Sequence, residues 1–133
     1  MKLRMMVLLA FGLVAGPVTA QPPAATPVLP RALSADEQAA LRCATAFAIV
    51  AGDQARGDPM AVQYPPLGVR GREFFAVTAA RLMDAAGLDE AGIKAAAEGE
   101  AAAVRRDGAG PIMPFCLALL DAQMPPPAGR AAP

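Results

Sequence analysis

Arg56, Tyr64 and Arg70 fall within one stretch, Gly52 to Gly71, with Arg72 directly after it, and their types suit a ligand. Guanidinium groups hold carboxylate or phosphate through a planar fork of donors. A helix beginning near Arg72 would add free backbone amides to such a grip. The amino end of a helix favours negative charge, so helix electrostatics alone gives no reason to place two arginines there. The segment is therefore a candidate anion- or partner-binding loop, and long connections often carry function. The competing arrangement, and the one expected, pairs the arginines with Glu73, Asp58 or solvent while Tyr64, Leu67 and Val69 pin the loop to a helical core.

Other chemistry has few carriers. Two carboxylate pairs could divide acid and base roles, as in glycosidases: Glu98 with Glu100, and Glu73 with Asp84. Side chains two apart on a helix point about 200° apart, so the first pair cannot converge, and the second lies three turns apart. The chain has no histidine, which removes Ser-His and Cys-His nucleophile pairs, imidazole zinc sites and the usual near-neutral base. Beyond the first twenty residues Met60, Met83, Met113 and Met124 are scattered without a short repeat. Core packing accounts for Met83 and Met113 better than copper ligation by thioether does. The expectation is a protein that is not an enzyme and holds neither cofactor nor metal.

Residues 1–20 read as a cleaved signal peptide: Lys2 and Arg4, an apolar run from Met5 to Ala15, the Gly16-Pro17 breaker and Val18-Thr19-Ala20 before Gln21. The run is too short to span about 30 Å of hydrocarbon. A periplasmic or secreted location follows, with no stable membrane insertion after cleavage. In an oxidising compartment the two cysteines, Cys43 and Cys116, should pair. That bridge would close a long loop and contribute about 4 kcal/mol by chain-entropy arithmetic.

Twelve basic residues balance twelve acidic ones, and loss of the leader removes Lys2 and Arg4, so nothing concentrates positive charge for nucleic acid. Alanine supplies 33 of the 133 residues, which favours helix but buries little area. A single small domain, marginal on its core alone, gives the disulfide a structural purpose.

Prolines mark the ends of that domain: residues 21–33 form a Pro-rich linker and 125–133 a similar tail, both expected to be disordered. Between them, over 34–124, four helical patterns appear. The first begins at Ser34, the only serine, where S-A-D-E makes a capping box with Glu37, and runs to about Gln54 with Ala40, Cys43, Phe47 and Val50 on one face. The second spans Arg72 to Ala86, carries Phe75, Ala79, Leu82 and Ala86 in a stripe that Phe74 and Met83 widen, and stops at Gly87. In the third, Asp89 caps, Leu88 and Ile93 form a staple, and small residues along Ile93, Ala97, Ala101 and Val104 allow close helix approach before Asp107-Gly108. The last, Pro114 to Met124, is apolar on nearly every side and reads as the central, most buried element. No alternating stretch suits a strand, so the fold expected is an all-α bundle of about four helices stapled by one disulfide.

In plan, with its leader, about ninety helical residues and one long-range disulfide, the chain resembles the small acid-stress chaperones of the bacterial periplasm, the HdeA-like proteins. That resemblance implies a chaperone and assigns no site residue. The residues themselves point to a non-catalytic exported module that binds an unknown protein or envelope partner, through the loop or through an apolar groove in the bundle. An acid-stress chaperone and small-anion binding at Arg70 and Arg72 are the alternatives.

Overall fold

The computed structural model describes residues 29–126. The expected signal peptide over 1–20, the expected linker through residue 28 and the expected tail from residue 127 lie outside them. The described residues are all-helical: α1 (Ala35–Ala55), a short 3-10 turn (Ala61–Gln63), α2 (Arg70–Ala86), α3 (Glu90–Asp107) and α4 (Met113–Gln123).

Local rules set most helix ends. Ser34 takes an extended backbone, its hydroxyl accepts from the Glu37 N–H, and the Glu37 carboxylate accepts from the Ser34 N–H at 2.8 Å. Both halves of the capping box are thus made, satisfying two amides that no helical carbonyl can reach. Gly87 ends α2 at φ 66°, a left-handed conformation open to glycine without a Cβ clash. Asp89 then caps α3, its carboxylate accepting from the Gly92 N–H at 2.8 Å.

Tertiary packing sets the start of α2. The helix opens at Arg70, two residues earlier than its apolar pattern suggests, with Gly71 N–H donating to the Leu67 carbonyl at 2.8 Å. Gly71 is buried against α1, and a Cβ there would lie 3.0 Å from that of Phe47. Close approach of the two helices fixes this turn. One turn further on, Phe74 meets Phe47 edge-on, with ring centroids 5.3 Å apart. The buried line of α2 runs through Gly71, Phe74, Thr78 and Leu82. Over its first turns this line is rotated by one position from the expected stripe, so Phe75 is half-buried; it rejoins the stripe at Leu82 and Ala86, where Met83, expected to widen it, is exposed.

The central element is α1, which touches every other helix and the 3-10 turn. All residues from Cys43 to Phe47 are buried. The expectation that α4 would be central is corrected here: it buries Met113, Cys116 and Leu120, while Phe115 is 59% exposed. At eleven residues α4 rests on one side of the much longer α1, and an apolar sequence cannot bury faces that have no neighbour.

Two apolar clusters result. The larger joins α1, the loop, Phe74, Val104 and α4 around the Cys43–Cys116 disulfide, whose Cα atoms are 5.1 Å apart. The smaller consists of Leu41, Leu82 and Ile93, with Leu33 and Leu88 packed on it. Arg31 and Leu33, which composition places in the linker, are tied to the domain: Arg31 N–H donates to the Ala86 carbonyl at 3.0 Å, and its guanidinium grips Glu37 at 2.7 and 2.8 Å.

Candidate functional site

The four residues of the candidate loop do not converge on a ligand. Helix α1 runs through Ala55, so the connection to α2 shrinks to residues 56–69. Arg56 caps α1 and pairs with Asp53. Arg70 and Arg72 stand in the first turn of α2. Arg70 reaches α4, donating to the Asp121 carboxylate at 2.9 Å and to the Met124 carbonyl at 2.7 Å. Arg72 folds back onto the Gly68 carbonyl at 2.7 Å. None pairs with Glu73 or Asp58; the Asp58 carboxylate instead accepts the Met60 and Ala61 N–H groups that open the 3-10 turn. Tyr64 is half-buried against the larger cluster, and Leu67 is fully buried.

Gln54 organises the loop, and nothing in its sequence context singled it out. Its amide nitrogen lies 3.0 to 3.1 Å from the carbonyls of Ala61, Tyr64 and Pro65, and its amide oxygen accepts from the Leu67 N–H at 3.0 Å. One side chain thus answers the buried backbone polarity of a connection with little regular structure. Its partners lie seven to thirteen positions away, beyond any local motif.

The carboxylates are also dispersed. Glu100 turns to Arg42 on α1, 2.6 Å from its Nε, whereas Glu98 is exposed on α3 and lies 4.0 Å from Lys94. Glu73 and Asp84 are both exposed on α2. Of the methionines, Met113 is buried in the larger cluster, Met124 packs against it, and Met60 and Met83 are exposed. Among the described residues no group of three or more His, Cys, Asp or Glu side chains could hold a metal ion. Among them, too, no helix is long and apolar enough to cross a membrane.

The prominent concavity lies elsewhere. A hollow of about 990 Å³ opens between α1 and α3, with Ala48, Ile49 and Gly52 on one wall, Ala97 and Ala101 on the other, and Phe75 of α2 at its side. A second, of about 460 Å³, lies between α1 and α2 over Leu67 and Gly71. Ala48, Gly52 and Phe75 line both, so the two hollows adjoin along the outer face of α1 and together make a largely apolar trough, with exposed Ala48 where they meet. Small side chains on facing helices do not fill the space between them. The alanine line of α3 was expected to allow close helix approach, and α3 does pack against α1, yet Ala97 and Ala101 are only half-buried and line the trough. Charges ring its rim: Asp53 with Arg56 on α1, and Glu90, Lys94, Glu98 and Arg105 on α3.

No protein-family model, curated protein or solved structure matches the chain.

Proposed function

We propose that this chain is an exported, non-catalytic interaction module whose trough along α1 takes an amphipathic helical segment of a protein partner. One observation carries the reading: two adjoining hollows that share Ala48, Gly52 and Phe75, the larger also lined by Ala97 and Ala101 of α3 and the smaller by Leu67 and Gly71. Small side chains permit close approach of a helix backbone. Apolar area between partly open helix faces is what an amphipathic helix laid in a groove would bury. The rim alternates acidic and basic groups, with Asp53 and Arg56 already paired and Lys94 near Glu98. Such a rim suits a partner of mixed charge whose apolar face supplies most of the affinity. The Cys43–Cys116 bridge supports an oxidising compartment and, with residues 1–20, export.

Site-specific photocrosslinking in the producing cell tests this. A crosslinking residue at Ala48 or Ala97 should yield a discrete adduct in the periplasmic or secreted fraction. Filling the trough with Ala101→Trp should abolish it while the helical signal and thermal transition persist. An adduct formed equally well from Asp84, on the opposite face of α2, would sink the trough as the docking site.

A further inference from the structure

We propose that residues 31–33 form a releasable strap which closes the smaller apolar cluster, so that the end of α2 and the first half of α3 open as a unit while the disulfide-bound half stays folded. The two halves are unequally held. The larger cluster gathers twelve buried residues, the bridged Cys43 and Cys116 among them; the smaller rests on Leu41, Leu82 and Ile93, with no covalent tie. Regions with few buried apolar contacts open at lower free energy than the rest of a domain. Over this weaker half lies the strap. Leu33 seats on the cluster, the Arg31 N–H holds the Ala86 carbonyl, and the Arg31 guanidinium grips Glu37. These contacts come from a short segment outside any helix, and each can be lost without breaking the helical ladder.

Opening would also reshape the trough, because Ile93, a member of the smaller cluster, and Ala97, packed on it, also line the trough. This consequence alone rests on the trough being the docking site; the strap stands without it.

Native-state hydrogen exchange on the exported chain, with no partner present, tests the strap separately. Amides of residues 82–97 should exchange together, and faster than those of residues 43–50. Leu33→Ser should accelerate the first set about tenfold, the exchange equivalent of losing a half-buried leucine seat, and leave the second nearly unchanged. Arg31→Ala, which cuts the clip but keeps the leucine, should act on the same set and decides the matter if Leu33→Ser does not fold. If the ratio of the two rates stays within about threefold of the parent value in Arg31→Ala, the strap is only a contributor to global stability and the proposal fails.

Discussion

The guanidinium of Arg70, in the first turn of α2, lies 2.9 Å from the carboxylate of Asp121 in the last turn of α4. The same group donates to the Met124 carbonyl just past that turn, at 2.7 Å. A cation at the carboxyl end of a helix meets both its dipole and its unpaired carbonyls. Arg70 is thus a cap supplied from another helix. Arg70→Gln should lower stability by about 0.5–1.5 kcal/mol, read from denaturant unfolding. Phosphate or a dicarboxylate should leave the melting temperature of the parent unmoved. A ligand-induced rise that disappears in the variant would instead establish an anion site at this turn.

Cys43 and Cys116 sit 73 positions apart in the chain and are both buried. Closing so long a loop restricts the unfolded chain strongly. Replacing both by serine should cost about 2–5 kcal/mol, a large share of what a small domain has. Chemical denaturation of the parent and the double variant should show this loss under non-reducing conditions. Near-equal midpoints would mean that the helices pack without need of the bridge.

Features governed by near neighbours along the chain are legible in the sequence. Ser34 with Glu37, Gly87 and Asp89 each obey a rule spanning three or four residues, and the helices begin and end near them. The cysteine pairing is legible because two thiols allow one bridge. What the sequence hides depends on which helix meets which. The run Pro114 to Leu120 is apolar all round, yet whether Phe115 is covered depends on neighbours that α4 lacks on that side. Arg70 finds Asp121 across 51 positions. The trough is hidden for a related reason: Ala97 and Ala101 read equally as residues that let helices touch and as residues that leave a hollow, and helix placement decides between them.

Acid should loosen the strap. The Arg31 guanidinium, followed by the Ser34 N–H, holds the Glu37 carboxyl down from its ordinary 4.5 to about 2. A carboxyl with a depressed folded-state value contributes stability that is fully present above 4.5 and is lost as pH falls toward 2. In Glu37→Gln that pH dependence disappears. Melting temperatures of parent and variant should therefore differ most above pH 4.5 and converge as pH approaches 2. Added salt should narrow the difference at neutral pH, since both partners meet solvent. A gap that persists unchanged at pH 2 would show that Glu37 acts through packing rather than charge.

Gln54 offers the sharpest contrast between two residues of one type. Its amide meets three loop carbonyls and the Leu67 N–H, and it is half-buried; Gln63 is exposed and reaches only the Pro59 carbonyl and the Met60 sulfur. Truncating Gln54 to alanine leaves partly buried backbone groups without partners, at about 1–3 kcal/mol in total. Truncating Gln63 should change stability by less than about 0.5 kcal/mol. Thermal unfolding separates the two. Limited proteolysis supplies a second reading, because Gln54→Ala should make residues 56–69 the first site of cleavage, while Gln63→Ala should leave the digestion pattern as it is. Gln54→Glu divides the contributions further: it keeps the acceptor for the Leu67 N–H but sets a carboxylate against three carbonyls, and should be worse than alanine. If glutamate is tolerated as well as glutamine, the loop is held by Tyr64 and Leu67 packing and the hydrogen bonds merely accompany it.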